Sequence, residues 1–245
     1  NHSQRLESLG RLAGGLAHDF NNYIHAILGH VDVATMLDGG NTESMHKHFE
    51  KIGTIAERAG KLTSQMLGFA RKGKYHIVDV DLEKLFEDCR TMLGPQKLRD
   101  VDFLIVPPRE KLTVSGDLLQ LQQALLNILL NAIDAMEQAE EKNLLLQALP
   151  AVQAPVKFSP PPSGFENAAA EDYCCVIAAD SGCGMDPEVC QRIFEPFFTT
   201  KPVGVGTGMG LPMVYGIISN HKGWIQVESR PGRGTTFAIF LPRKI

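Results

Sequence analysis

The stretch GDLLQLQQALLNILLNAIDAM, Gly116 to Met136, is apolar enough to be a buried helix, yet it sets Asn127, Asn131 and Asp134 along its length. Asn127 and Asn131 stand one turn apart, so both amides leave the helix on the same side. Asparagine is a mediocre helix former whose amide has several hydrogen-bonding valences to satisfy. Such a pair on an apolar helix reads either as the wall of a polar cleft or as packing and capping groups, and the helix alone does not choose.

The sequence that follows favours the cleft. In CCVIAADSGCGMD, Cys174 to Asp186, an apolar strand runs into Asp180 and then Gly182 and Gly184. A carboxylate at the end of a buried strand can accept from an exocyclic amine, and glycines allow a backbone to approach a flat ring; an ordinary glycine-rich turn is the plainer alternative. IFEPFFTTK, Ile193 to Lys201, leads into GVGTGMGLPMVYGII, with glycines at 204, 206, 208 and 210 opening an apolar helical pattern. A glycine-rich loop feeding a helix N-terminus offers backbone N–H donors and a positive dipole end to phosphates. The pattern is neither the GxxxxGK[ST] phosphate loop nor a dinucleotide fingerprint.

WIQVES and TTFAIFLP read as two alternating strands joined across RPGRG. Upstream, HIVDVD, VDFLIV and LTVSG read as short strands, with a helix between the first two. These elements predict an α/β sandwich, one mixed sheet covered by helices. Residues 147–172, with Pro150, Pro155, Pro160, Pro161 and Pro162, are expected to form an exposed hairpin end without chemistry.

Before this lies a different pattern. Apolar residues at 9, 13, 16, 20, 24, 27, 31 and 34 alternate in four- and three-residue steps, and Met45, Phe49, Ile52, Ala56, Ala59, Leu62 and Met66 repeat the pattern. Gly39 and Gly40 end the first helix and Thr42 can cap the second. A lone helical hairpin cannot surround its own apolar seam, so two are expected to associate as a four-helix bundle, making a homodimer. A boundary near 73–78 gives domains 1–73 and 74–245.

Within LAHDFNN, Leu16 to Asn22, His18 lies about 180° from the stripe of Leu16 and Phe20 and points to solvent. Asn22 shares nearly the same face and Asp19 flanks it, so the three form a polar cluster. A solvated face is the plain alternative, and His25 lies on that same face.

The 245 residues include 44% hydrophobic and 21% charged residues, with a net charge of −4. That balance gives no argument for nucleic acid. No apolar run approaches the roughly 20 residues needed to span a bilayer, so no membrane contact is expected of this stretch. The 5 cysteines are odd in number and lack a metal-like CxxC pair. They read as buried small hydrophobes in a reduced, cytoplasmic compartment, whether or not the full-length protein is membrane-anchored.

Taken in order, LAHDFNN, LLNILLNAIDAM, DSGCGM, IFEPFFTTK and GTGMGLPMVYGI closely resemble the phosphoacceptor, asparagine, first glycine, phenylalanine and second glycine boxes of sensor histidine kinases. The HDFNN form is similar to that of the nitrogen-regulation subgroup. The resemblance spans essentially the whole chain. It implies a dimerisation and histidine phosphotransfer domain, followed by a Bergerat-type (GHKL) ATP-binding domain of the fold shared with gyrase, MutL and heat-shock chaperone ATPases.

By that resemblance His18 is the phosphoacceptor, Asp19 orients its ring and takes its other proton, and Asn22 positions water for dephosphorylating the partner regulator. Asn131, with Asn127 beside it, binds Mg²⁺ bridging the phosphates of ATP. Asp180 accepts from the adenine amine, helped through water by Thr235, while Gly182 and Gly184 admit the ring. Phe194 to Gly210 forms a lid, with Lys201 near the phosphates and the backbone of Gly206, Thr207, Gly208, Gly210 and Leu211 around them. The implied partner is a response regulator's receiver domain. The chain departs from the family pattern at His221, Lys222, Gly223 and Trp224, where Gly-Gly is common, and at Met209, where leucine is usual. A non-kinase ATPase of the superfamily and a catalytically silent nucleotide-binding scaffold are the alternative readings.

Overall fold

The computed structural model describes residues 24–36, 44–53, 55–56, 76–155, 161–202 and 206–244. His18, Asp19, Asn22, Gly39, Gly40, Thr42 and Gly204 lie outside the described residues. The chain divides into two compact units, Asn1–Ala70 and Arg71–Ile245.

In the first unit, α1 (residues 24–36) and α2 (residues 44–53 and 55–56) follow the two apolar seams. The helices meet where His30 and His48 bring their Nδ1 atoms to 3.0 Å. Ala34 is buried, but the seam residues Ile24 and Val31 stay 39% and 38% exposed within one chain, as does Phe49 at 57%.

The second unit runs β1 (Ile77–Asp81), α3 (Leu82–Lys97), β2 (Asp102–Val106), β3 (Thr113–Asp117), α4 (Leu118–Ala135), β4 (Asn143–Pro150), β5 (Tyr173–Asp180), α5 (Pro187–Arg192), α6 (Gly210–Asn220), β6 (Trp224–Ser229) and β7 (Thr235–Pro242). Its main sheet has the order β2-β4-β5-β7-β6, with β2 parallel to β4 and every other pair antiparallel. The expected strands are present, but they do not form one sheet. β1 and β3 pair antiparallel as a separate ribbon, joined to the chain just after β7 by the bridge of Val114 to Arg243 and by the Lys244 amide donating to the Thr113 carbonyl at 2.8 Å. Each of these short strands ends in an aspartate that caps the next helix: Asp81 accepts from the Glu83 amide at 3.0 Å and Asp117 from the Gln120 amide at 3.2 Å. The ribbon therefore turns into α3 and α4 on the helical side of the sheet.

Strand periodicity builds a core on each face of the sheet. On β5, Cys174, Val176 and Ala178 join the large core beneath α3, α4 and α6, whereas Cys175 and Ile177 join a second cluster with Leu149, Trp224, Ala238 and Phe240. The strand is therefore apolar throughout, as expected of one buried on both sides. The proline-rich connection packs over the second cluster. Ala151, Ala154, Phe165 and Ala168 lie against it, and the Phe165 and Trp224 ring centroids are 4.8 Å apart. The expectation of an exposed hairpin end or loop holds for most of the described residues beyond Pro150 and needs two corrections: Gln147–Pro150 belong to β4, and the half-buried alanines and Phe165 cover a sheet face that the helices leave open.

The helices α4 and α6 lie antiparallel and are tied near both ends. Gly210, opening α6, faces Asn127 and Asn131. At the other end buried His221 accepts the Asp117 amide on Nε2 at 2.9 Å, with its Nδ1 2.8 Å from the Ile217 carbonyl. The ring fills the space above Gly116, where a Cβ would meet it at 2.6 Å.

Candidate functional site

The last two turns of α4 organise the site. Ile128, Leu129 and Ala132 bury the core face of this helix, which leaves Asn127 and Asn131 half-buried and Asp134 exposed on other faces. Asn127 reaches across to α6, its amide 3.8 Å from the Met213 sulfur. The first turn of α6 has no side-chain cap at Met209, so its leading N–H groups are open to an anion.

Lys201 joins this group. Its ammonium donates to Asp134 Oδ2 at 2.6 Å and to Asn131 Oδ1 at 3.3 Å. The segment carrying it folds back on itself: the Phe197 amide donates to the Gly208 carbonyl at 3.0 Å. Phe197 takes the left-handed φ of 67°, and Gly208 sits so close that a Cβ there would meet the Phe197 carbonyl carbon at 2.3 Å. Gly206 packs equally tightly on Thr199 and Lys201. Thr207 lies near this turn, its hydroxyl 3.4 Å from the Met209 amide.

At the C-terminal end of α4 the chain meets the β5 loop, where the Cys183 amide donates to the Ala135 carbonyl at 3.0 Å. Asp180 Oδ1 accepts from the Gly182 and Thr235 amides at 2.8 and 3.3 Å. Its Oδ2 has no hydrogen-bond partner among the described residues and is the acceptor available to a ligand. Burial pushes the Asp180 carboxyl above its ordinary value, and the two backbone N–H groups pull it part of the way back. Thr235 places its hydroxyl 2.9 Å from that of Ser229, a residue the sequence did not single out.

The glycines of this loop face protein. A Cβ on Gly182 would meet the Ala135 backbone at 2.8 Å, and one on Gly184, at φ 66°, would meet the Arg230 carbonyl at 1.9 Å. Their smallness seats the loop between α4 and the β6–β7 turn. Of the sequence-derived residues, Asn127, Asn131, Lys201, Gly210 and Leu211 gather at the α4–α6 side, and Asp180, Gly182, Gly184 and Thr235 at the strand end. Asp134 is the residue that sequence reasoning noticed without giving it a role. Cys183 is exposed and Cys190 half-buried, so only Cys89, Cys174 and Cys175 fit the expected buried class. Burial raises each of those three thiols to about 12, which leaves them unreactive.

Paired asparagines on α4, an uncapped helix N-terminus opposite them and a half-buried strand-end carboxylate with one unpartnered oxygen are the polar groups available here to a ligand. Residues 116–245 match the family described as histidine kinase-, DNA gyrase B-, and HSP90-like ATPase. The chain belongs to this family. It is similar over 99% of its length to the sensor kinase CckA of Brucella abortus (strain 2308), at 38% identity, and covers 25% of that protein. It is 30% identical to the C4-dicarboxylate transport sensor protein DctB of Rhizobium meliloti (strain 1021), over 98% of this chain and 36% of that protein. The structure of histidine kinase ThkA in complex with response regulator protein TrrA shares the fold, with a TM-score of 0.69 at 22% identity over 100% of this chain and 64% of that one. The chain spans between 25% and 47% of the length of the curated relatives it matches. An ATPase-family α/β sandwich thus occupies its second unit.

Proposed function

We propose that the chain is the catalytic core of a two-component sensor histidine kinase. It transfers the γ-phosphoryl group of ATP to His18 and from there to an aspartate of a response regulator's receiver domain. The observation that carries this reading is the facing of Asn127 and Asn131 by Gly210 and Lys201, in a chain whose family is that of ATPases and whose relatives are sensor kinases.

Adenine would sit at Asp180, its amine donating to Oδ2, with Thr235 assisting through water. Gly182 and Gly184 shape the loop beneath it. The phosphates would run towards the first turn of α6, where the backbone of Gly206, Thr207, Gly208, Gly210 and Leu211 supplies donors. Mg²⁺ suits the oxygen of Asn131, which already accepts a cationic group, the Lys201 ammonium. When bound with the nucleotide, the ion neutralises phosphate charge. The Nε2 lone pair of neutral His18 attacks the γ-phosphorus, and the bond to the β,γ-bridging oxygen breaks with its electrons leaving on ADP. Asp19 takes the Nδ1 proton of the phosphorylated ring. Catalysis here is mostly positioning and charge neutralisation.

The open seam residues Ile24, Val31 and Phe49 support a homodimer in which two hairpins form a four-helix bundle. Domains 1–73 and 74–245 then divide dimerisation and phosphotransfer from ATP binding, in a core placed by this reading in the cytoplasm, without nucleic acid or membrane as partners.

Incubation with γ-labelled ATP and Mg²⁺ should label the wild-type chain with acid-labile phosphate, and His18→Gln should abolish the label. Label persisting in His18→Gln moves the acceptor elsewhere, with His25 the first suspect. ATP binding without any label identifies a silent scaffold instead. Asn22→Ala should spare autophosphorylation and slow dephosphorylation of the phosphorylated regulator; equal loss of both activities refutes that role.

A further inference from the structure

The first unit holds a pair of side chains that the proposed reaction does not use. His30 on α1 and His48 on α2, 18 residues apart in sequence, bring their Nδ1 atoms to 3.0 Å. The ring centroids are 5.2 Å apart and the ring planes are tilted by 58°. Both rings are half-buried, whereas His25 and His46 on the same two helices are exposed. A neutral imidazole carries one N–H and one lone pair, so two Nδ1 atoms at this distance share a single proton, one ring donating and the other accepting. With both rings protonated on Nε2 instead, two lone pairs meet in the same gap.

A cation can take the place of the shared proton. Neutral imidazole nitrogen suits the borderline divalent ions, zinc among them. Two nitrogens bound at about 2.0–2.1 Å to a tetrahedral zinc ion lie roughly 3.3–3.4 Å apart, so the pair has to open by only about 0.3–0.4 Å. No third histidine, cysteine or carboxylate joins the two rings among the described residues, and water completes the shell of an ion held there. We propose that His30 and His48 form a two-histidine site for a zinc-class divalent cation, bound through both Nδ1 atoms and clipping α1 to α2. The ion stabilises the helical hairpin, because the unfolded chain does not hold the two rings together. The site uses no residue of the second unit and is independent of the proposed reaction.

The test is calorimetric titration of zinc chloride into the whole chain after chelator treatment. Wild type should bind one zinc ion more per chain than His30→Gln, His48→Gln or the double variant, and the three variants should bind alike. His25→Gln and His46→Gln should keep that ion. Excess zinc should raise the melting temperature of wild type and leave that of His48→Gln unchanged. Retention of the ion in His30→Gln or His48→Gln, or its loss in either exposed-histidine control, overturns the site. Circular dichroism without zinc reveals a variant that fails to fold. Imidazole nitrogen spectra of the wild-type chain then decide: zinc should move the Nδ1 resonances of two histidines together. Shifts confined to Nε2, or no shift at all, reduce the pair to a hydrogen bond and overturn the proposal.

Discussion

At Asp180 one carboxylate oxygen closes its own loop by accepting two backbone amides, and the other has no partner among the described residues. Burial holds this carboxyl above its ordinary value. Because the folded chain keeps the proton to higher pH than the unfolded one, folding loses free energy as pH rises from about 3.9 through the raised folded value. Asp180→Asn keeps an acceptor for the two amides and removes that penalty. Its melting temperature should therefore gain on that of wild type between about pH 4 and pH 7, as thermal scans across that range will show. Its ATP affinity should fall at least about ten-fold in equilibrium binding, since an NH₂ donor then meets the adenine amine. The sequence made Asp180 legible as a carboxylate ending an apolar strand, and its proposed role towards adenine follows from that position. The loop-closing role depends on Thr235, 55 residues away, and no local pattern records it. The same holds for Gly182 and Gly184: their turn could be read, but Ala135 and Arg230, which fill the space beside them, could not.

At the scale of elements, His221 joins the end of α6 to the start of α4, across 104 residues of sequence. His221→Leu leaves the half-buried Asp117 amide without its acceptor, while the Ile217 carbonyl keeps the backbone amide of residue 221, and should cost about 1–3 kcal/mol of unfolding free energy. His221→Gln, which can both accept and donate, should cost less. Urea titration of the two variants distinguishes them, and equal losses would reduce the role of the ring to volume. The helices themselves were readable because their apolar faces recur with helical period, and β5 and β7 because they are long and apolar. The separation of β1 and β3 from the main sheet was not readable, since five-residue strands of either sheet carry the same alternation. Nor did proline content reveal that the 147–172 connection contributes to a core, because burial there hangs on a few small residues and Phe165.

For the whole molecule, the division into Asn1–Ala70 and Arg71–Ile245 makes the second unit's chemistry separable from the first. Its large core lies within its own elements. Residues 74–245 expressed alone should fold, bind ATP and sediment as a monomer, while the full chain sediments as a dimer. A monomeric full chain, or an unfolded excised unit, would contradict the proposed division. What the sequence offers for a two-part organisation is the change of apolar period from helical to strand-like near residue 75, whereas His18, the proposed acceptor, is known only from its sequence. The chain's single tryptophan, Trp224, stacks on Phe240 at 4.6 Å beneath Phe165, on the sheet face away from α4 and α6. The molecule therefore carries a built-in fluorophore whose ultraviolet emission reports whether the proline-rich cover is seated on the back of the sheet.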